Sequence, residues 1–189
     1  MSRLRPGTTA PSLPTTDVTG LPLPPAPANG LTHLQFRRFA GCPICNLHLR
    51  GFALRHGELR AAGIREAVVF HSPAAELREY ADALPFALVA DPEQRLYRAY
   101  GVERGARALL DPRAWPAIAR GVLRSMPLIL RGQERPPANR PLGGRLGLPA
   151  DFLLAPDGRL LAAHYGTHAA DHWTVDQVLS LAAGTTPPR

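Results

Sequence analysis

The sequence predicts an α/β fold in which helices cover both faces of a central mixed β-sheet, and three observations support it. Between residues 31 and 102, apolar strand-like runs alternate with helical patterns, which is typical of parallel strands joined by helices. Near the C-terminus, two strand-like runs flank the turn sequence Pro156-Asp157-Gly158, which predicts an antiparallel hairpin. The 189 residues, of which 45% are hydrophobic, suffice for one domain with its own core.

Proline positions divide the first half of the chain into three strand–helix units. Pro43, Ser72-Pro73 and Asp91-Pro92 each begin a helical pattern. Proline suits the first helical position because the N–H that it lacks has no partner there. Ser72 and Asp91 are expected to cap their helices. The strands predicted before these helices span residues 31–39, 64–71 and 86–90.

The first of these helices carries an apolar stripe that is expected to pack on the sheet, because its members recur at helical spacing. The stripe consists of Ile44, Leu47, Gly51 and Leu54, with Phe52 beside it. In the strand before this helix, the side chains expected to be buried are those of Leu34, Phe36 and Phe39.

The second half of the chain has a weaker pattern until the hairpin begins. Residues 102–147 lack the apolar periodicity of a segment that folds alone, so they are expected to form an insertion or lid that ends in a loop rich in proline, glycine and arginine at 131–147. Within them, Asp111 is expected to cap a helix that continues past Trp115. Thr174 and Gln177 form a capping box for the last helix. The predicted organisation is an extended arm at 1–30, a domain at 31–183 and a tail at 184–189.

The charge and hydropathy of the chain exclude several functional classes. The net charge is +7, and every basic residue except histidine is arginine. Acidic and basic residues alternate, and Arg37-Arg38 is the only basic doublet, so nucleic acid is not an expected partner. No apolar run approaches the roughly 20 residues that span a bilayer, and no apolar leader follows the N-terminus. The sequence therefore predicts a cytoplasmic protein without a membrane partner.

The only two cysteines lie three residues apart in Cys42-Pro43-Ile44-Cys45, where a strand-like run ends and a helix begins. Unpaired N–H groups and the helix dipole stabilise negative charge at such a position. Cys42 is therefore the expected nucleophile, with its pKa lowered into the range of roughly 3.5–7.5. Cys45, one turn further along and expected to be more buried, is the resolving thiol. One of Arg37 and Arg38 is expected to face the pair, because neighbouring strand residues point to opposite sides.

Other interpretations of the cysteine pair stay open. With His48 and His56 it could bind a metal ion, although zinc sites usually combine two such pairs. An iron–sulfur cluster would need a second chain to supply four thiolates, and the two cysteines could also simply be buried together. A second polar group near the C-terminus is interpreted as solvated loop side chains rather than metal ligands. It comprises His164, His168, Asp171 and His172.

The cysteine motif, placed between a strand and a helix, resembles the redox motif of the thioredoxin fold. The wider sequence is similar to the CxxC-containing part of the peroxiredoxin-like branch, which is the AhpC/TSA or redoxin group. The resemblance covers roughly residues 9–102 and 148–183. Besides the cysteines, it is carried by Ala10-Pro11, Asp17-Val18-Thr19-Gly20, Val69-Phe70-His71-Ser72, Asp91-Pro92-Glu93, Tyr97-Arg98-Ala99-Tyr100-Gly101 and the segment from Phe152 to Gly158.

This resemblance implies a thioredoxin-like fold and a thiol-dependent oxidoreductase with a Cys42–Cys45 dithiol/disulfide centre. Thiol–disulfide exchange, peroxide reduction or both would be its reaction, on a small disulfide or peroxide. No bound cofactor is expected, and the electron donor would be a thiol reductant such as a thioredoxin or glutathione system. A homodimer is a further expectation. The expected substrate pocket is lined by Pro149, Pro43, Phe39, Arg38 and Ser72.

Three positions qualify what the resemblance implies. Pro149 matches the cis-proline that faces the active cysteine in thioredoxin folds, with an ordinary trans proline as the alternative. Peroxiredoxins carry a proline and a threonine or serine seven and three residues before the peroxidatic cysteine, where Gln35 and Phe39 stand here. The family's later arginine coincides with Pro149, and Arg145 is the candidate substitute. These departures favour thiol–disulfide exchange over peroxide reduction, and a non-catalytic redox sensor is the alternative function.

Overall fold

The computed structural model describes residues 2–23, 30–132 and 141–185. Five strands form one sheet in the order β3-β2-β1-β4-β5. The first three strands run parallel, and the last two extend the sheet in antiparallel fashion. The strands are β1 (Leu31–Arg37), β2 (Ile64–Phe70), β3 (Ala87–Ala90), β4 (Ala150–Leu154) and β5 (Leu160–Tyr165). The predicted mixed sheet with a C-terminal hairpin is confirmed.

Helices connect the strands and pack on both faces of the sheet. The first half of the chain contains α1 (Pro43–Leu54), α2 (His56–Ala61), α3 (Ala74–Ala81) and α4 (Arg95–Ala99). The predicted insertion contains α5 (Arg107–Leu110), a 3-10 turn (Pro112–Ala114) and α6 (Trp115–Leu130), and the hairpin is followed by α7 (Val175–Thr185). Within the described parts of the chain, no helix has both the length and the apolar character needed to cross a bilayer.

The two faces of the central strand β1 enter different layers of the core. Leu34 and Phe36 point into an aromatic cluster on the α4 side. His33, Gln35 and Arg37 alternate with them and point toward α1 and α7. Both faces are buried, as expected for a strand at the centre of a sheet that is covered on both sides.

The buried face of α1 differs from the predicted stripe. Ile44 is buried as predicted, but Leu54 is exposed and Leu47 is only half-buried. The residues that pack inward with Ile44 are Cys45, Leu49 and Phe52. The prediction was wrong because the stripe was traced from Ile44 and Leu47, whereas the cysteine itself faces the core and sets the inner face one residue further along.

The N-terminal arm packs on the domain over the residues that the structure describes. Thr9 bridges Arg159 at the hairpin, and the N–H of Val18 donates to the carbonyl of Leu88. Residues 24–29 of the predicted arm lie outside the described part. The predicted tail begins too early, because α7 continues to Thr185. Residues 186–189 also lie outside the described part.

The caps of three helical segments follow the sequence signals. Helix α4 begins only at Arg95, with Gln94 in the cap position, but the carboxylate of Asp91 accepts the N–H groups of Arg95 and Leu96 at 2.9 and 2.8 Å. Asp111 accepts the N–H of Arg113 at the 3-10 turn that leads into α6. Thr174 and Gln177 bond reciprocally at the start of α7. Polar groups beside these helix starts therefore do what their sequence positions predict.

The insertion packs on the start of α1 through α6. A Cβ atom on Gly121 would lie 3.1 Å from the carbonyl carbon and oxygen of Pro43, so the two backbones approach closely at this point. A side chain at this position would make a tighter contact than usual with the α1 backbone, which would have to shift by a few tenths of an ångström. Residues 133–140 of the insertion lie outside the described part of the chain. The described part of the insertion thus packs on the start of α1 beside the cysteine motif.

Candidate redox site

The two cysteines lie at the junction of β1 and α1, as the sequence predicts. After β1 the chain turns back through Gly41, whose φ of 74° is a conformation that other residues rarely adopt. Cys42 then caps α1, and its sulfur accepts the N–H of Cys45 at 3.4 Å. The loop is held from the neighbouring strand as well, because the Ala40 N–H donates to Ser72 Oγ at 2.9 Å.

Arg38 places a positive charge directly on the first cysteine. Its Nη2 donates to Cys42 Sγ at 2.9 Å, and its Nη1 donates to the carbonyl oxygen of Arg145 at 3.1 Å. A guanidinium fixed at both ends is a preorganised partner for a thiolate. Arg37 points to the other side of the sheet, as the alternation of the strand predicts. Arg38 therefore brings the guanidinium that the sequence assigned to Arg145, and Arg145 supports it through its backbone.

Both thiols are buried, and the predicted difference in burial is not found. Cys42 is 0% exposed and Cys45 is 4% exposed, inside an apolar cluster with Phe39, Ile44 and Leu49. The prediction that Cys45 is the more buried of the two was wrong, because α6 and the Arg38 side chain cover the helix start. Neither sulfur is disulfide-bonded in this arrangement. A substrate can reach Cys42 only if part of this cover moves.

The two thiols share hydrogen bonds closely enough to titrate as a pair. Burial raises the pKa of the Cys42 thiol well above its ordinary value, and the hydrogen bond with Cys45 adds to this. The hydrogen bond from Cys42, helped by the charge of Arg38, lowers the pKa of Cys45 to about 5 against the effect of burial. The pair therefore holds one negative charge between two sulfurs near neutral pH. The prediction of a lowered pKa at Cys42 itself was wrong, because burial outweighs the helix start.

Three of the residues expected to line the substrate pocket, Phe39, Arg38 and Ser72, support the cysteine loop. Phe39 is buried, and the guanidinium carbon of Arg38 lies 5.7 Å from its ring centroid. Ser72 is fully buried and accepts from the loop, whereas the cap position of α3 belongs to Pro73. Ser72 was predicted to cap that helix, but its hydroxyl is turned toward Ala40. Phe39, Arg38 and Ser72 therefore hold the cysteine loop in place, whereas Pro43 lines a cavity between α1, α3 and α6.

Pro149 directly precedes β4, as the sequence predicts, but its peptide bond is trans. It precedes β4, whose first residue Ala150 pairs with Phe36 near the end of β1 that leads to the cysteines. No cis peptide bond occurs among the described residues, so the cis-proline prediction was wrong. The Pro149 carbonyl accepts the Gly166 N–H at 2.9 Å, which continues the pairing of the hairpin. The backbone is thus extended where it enters β4, and the more stable trans bond is compatible with this conformation.

A comparison with protein families identifies the group to which this fold and site belong. Residues 52–168 match the family described as AhpC/TSA antioxidant enzyme, which is more than half of the chain. The chain belongs to the AhpC/TSA family. The match begins after the two cysteines, so the cysteine pair is an independent observation. The predicted peroxiredoxin-like family and its thiol-dependent oxidoreductase activity are confirmed.

Solved structures of similar fold can be superimposed along nearly the whole chain. Peroxidoxin BcpB from Mycobacterium tuberculosis has a TM-score of 0.67 at 17% identity, with 98% of this chain and 100% of that chain covered. Peroxiredoxin Q from Xanthomonas campestris has a TM-score of 0.62 at 18% identity, with 93% and 92% covered. A Chlorobium tepidum protein described as thiol:disulfide interchange protein DsbE has a TM-score of 0.57 at 18% identity, with 95% and 99% covered. At these identities the likeness establishes the thioredoxin-like fold. No functionally curated protein matches the chain significantly.

A buried polar network beneath the cysteines was not predicted for this member of the AhpC/TSA family. His33 Nδ1 lies 2.9 Å from Glu66 Oε2, and His33 Nε2 lies 3.3 Å from Asp151 Oδ1. Arg37 forms an ion pair with Asp151 and also donates to Gln35 Oε1 at 2.6 Å. All these side chains are buried. The signal was present in the sequence, because polar residues occupy every second position of a strand that must be buried on both faces.

The network holds two positive and two negative charges. Burial alone would lower the pKa of His33, but the Glu66 and Asp151 carboxylates outweigh it and raise the pKa to about 9. Burial would likewise raise the pKa of Asp151, but Arg37 and His33 hold it well below its usual range. A protonated His33 with Arg37 therefore balances the two carboxylates, which buried charges require.

Three further histidines, His48, His164 and His172, lie in this network or beside it. His48 Nε2 contacts Arg37 Nη2 at 2.8 Å, and its ring centroid lies 3.7 Å from that of His172. His164 pairs with Asp171 at 2.9 Å. Burial lowers the pKa of His172 to about 4, so the prediction of a solvated loop side chain was wrong for this residue. Across residues 2–23, 30–132 and 141–185, no group of three or more potential ligands is placed to hold a metal ion.

Proposed function

We propose that the Cys42–Cys45 pair reduces a peroxide or a disulfide through a cycle of dithiol and intramolecular disulfide. The observation that carries the proposal is the Arg38 guanidinium at 2.9 Å from Cys42 Sγ, together with the Cys45 N–H on the same sulfur. Two donors on one sulfur stabilise a thiolate there as it forms. Cys42 is therefore the nucleophile and Cys45 the resolving thiol, as the sequence predicts.

The charge that the pair already holds prepares the attack. A proton passes from Cys42 to Cys45, which leaves the thiolate on the sulfur that Arg38 contacts. With a hydroperoxide, the Cys42 thiolate attacks the outer oxygen, the O–O bond breaks, and the alkoxide takes up a proton to leave as an alcohol or water. Cys45 then attacks the sulfenic acid on Cys42, an S–S bond forms, and the hydroxyl leaves as water. The cysteine pair has lost two electrons and the peroxide has gained them.

The same centre can exchange thiols with a disulfide substrate. The Cys42 thiolate attacks one sulfur and releases the other as a thiol, and Cys45 then displaces the substrate to close the Cys42–Cys45 bond. This second function is supported by Phe39, because the hydroxyl group that peroxiredoxins place three residues before the attacking cysteine is absent here. The similar fold of a thiol:disulfide interchange protein is consistent with it.

An external thiol must return the centre to its reduced form. Two thiols reduce the Cys42–Cys45 bond and leave as a disulfide, so a thioredoxin or glutathione system in the cytoplasm is the proposed donor. The chain itself supplies the two sulfurs and the guanidinium, and the proposed cycle uses no bound cofactor. A homodimer remains a prediction.

Steady-state assays with three proteins test the proposal. Wild type, Cys42→Ser and Cys45→Ser are compared for thiol-dependent reduction of cumene hydroperoxide and of a small disulfide. Cys42→Ser should abolish both reactions, and Cys45→Ser should react once and then stop. Continued turnover by Cys45→Ser would contradict its role as the resolving thiol. A wild-type protein that oxidises once but never cycles would instead be a redox sensor.

A further inference from the structure

The outer face of α6 carries a stripe of exposed apolar side chains. Viewed along the helix at about 100° per residue, the members of this stripe fall within an arc of roughly 100°. The stripe consists of Trp115, Val122, Leu123, Met126 and Leu130, and all of these are exposed. The inner face of the same helix, with Gly121 and Ser125, is buried on the α1 side. The apolar stripe therefore does not serve the packing of α6 on the domain.

A row of arginines runs beside this apolar stripe. Arg120, Arg124 and Arg131 are exposed and fall within an arc of roughly 40° on one flank of the helix. No acidic residue occurs between positions 112 and 132. An apolar stripe beside a purely cationic row is the pattern of helices that lie in the interface of a membrane.

We infer that α6 docks on an anionic bilayer surface, with its apolar stripe in the interface and its arginines on the lipid phosphates. Charge complementarity favours lipid over a second copy of the chain, because two copies meeting through α6 would bring two cationic rows together without an acidic partner. The overall charge of +7 adds to the attraction toward anionic lipids. The sequence-based expectation of no membrane partner considered only segments that span a bilayer, and an interfacial helix is a different mode of contact.

Docking would bring the covered redox site close to the lipid surface. Gly121 on the inner face of α6 lies against the Pro43 carbonyl, next to Cys42. The distance from the apolar stripe to the cysteine motif is therefore only the thickness of one helix, about 10 Å. The docking inference rests on α6 alone and stands whether or not the proposed reaction is correct.

Vesicle binding tests the inference with full-length protein. Wild type is sedimented with vesicles of equimolar phosphatidylglycerol and phosphatidylcholine, and with vesicles of phosphatidylcholine alone. Leu123→Glu places a charge in the centre of the stripe, where the wild-type leucine is 73% exposed. Leu21→Glu is the matched control, because Leu21 is 64% exposed in the N-terminal arm and outside α6. The double variant Arg120→Glu/Arg131→Glu reverses the cationic row, and thermal unfolding confirms that each variant is folded.

The expected results distinguish the contribution of the apolar stripe to vesicle binding from that of the rest of the protein surface. Wild type and Leu21→Glu should bind the anionic vesicles, and Leu123→Glu should lower the partition coefficient by about tenfold or more. Arg120→Glu/Arg131→Glu should lower it by about 30-fold or more on anionic vesicles, and added salt should weaken wild-type binding. Trp115 should shift its emission to shorter wavelength on binding, whereas Trp115→Phe should leave only the buried Trp173 and no shift.

Three outcomes would overturn the inference. The first is a wild type that does not bind anionic vesicles, and the second is an equal loss in Leu123→Glu and Leu21→Glu. The third is a dimer, seen by sedimentation, that Leu123→Glu dissociates while no protein binds vesicles. That result would assign the stripe to a second copy of the chain.

Discussion

Protein stability should fall as the pH rises past neutrality, because His33 is held in its protonated form by two buried carboxylates. Glu66 and Asp151 raise the pKa of His33 to about 9 against the effect of burial. An unfolded histidine titrates near 6.5, so the folded protein holds this proton more tightly than the unfolded chain does. At about 1.4 kcal/mol for each pKa unit, the rise corresponds to about 3 kcal/mol of folding free energy.

The raised pKa of His33 determines whether stability rises or falls with pH, and over which pH range it does so. A raised pKa stabilises the fold fully below pH 6.5, and this contribution is lost as the pH rises through about 9. The cysteines titrate as well: a Cys45 pKa of about 5 gives a contribution that is lost as the pH falls, whereas the raised pKa of Cys42 gives one that is lost as the pH rises. Measurements in a Cys42→Ser/Cys45→Ser background remove both of these effects. In that background, the free energy of unfolding by urea should fall by about 2–3 kcal/mol between pH 7 and 9.5.

Two variants in the same background test the assignment to His33. His33→Gln should be less stable at pH 7 but should show a nearly flat profile up to pH 9.5, because the titrating group is gone. His56→Gln, which removes a histidine outside the buried network, should keep the full slope. An unchanged slope in His33→Gln, or a His33 pKa near 6.5 by NMR titration, would refute the reasoning.

Three further predictions concern the cysteine loop and its cover. Arg38→Met should move the midpoint of the pH profile for alkylation upward by about one pH unit or more, because a guanidinium on the sulfur is lost, whereas Arg50→Met should leave it unchanged. Gly121→Ala should lower the free energy of unfolding by urea by about 1–3 kcal/mol, because the new Cβ atom meets the Pro43 backbone. Gly51→Ala has open space around the new Cβ atom and should raise the free energy of unfolding by about 0.5–1 kcal/mol. Because both native thiols are buried, their alkylation rate should level off at high reagent concentration, where opening of the structure around the thiols limits the rate. A rate that stays proportional to the reagent at all concentrations would show that the thiols are accessible without opening.

The order of strands and helices was predictable because local signals determine it. Proline and glycine mark the ends of helices. The side chains of Asp91 and Thr174, which their sequence positions predict to be capping groups, form hydrogen bonds at helix starts in the structure. The place of the cysteine pair at a helix start follows from the same signals, as does the role of only one arginine of the doublet.

The burial and electrostatics of the site were not predictable in the same way, because they depend on contacts between distant segments. The start of α1 is covered by α6, which lies about 80 residues further along the chain. The hydroxyl of Ser72 could cap its own helix or hold the cysteine loop, and only the packing of β1 against β2 decides for the loop. The carboxylate of Asp151 likewise becomes a partner of Arg37 only once β4 pairs with β1.

The polar row on β1 also restricts how the sheet can assemble. A shift of β1 by one residue relative to its neighbours would turn His33, Gln35 and Arg37 toward the aromatic layer, away from the carboxylates of Glu66 and Asp151. Two unpaired charges buried among aromatic rings would cost far more than a misplaced apolar side chain. Apolar strands can tolerate such a shift, but this central strand cannot. The charge pairs thus select one register for the sheet. They thereby also fix the position of the cysteines, which follow the C-terminal end of β1.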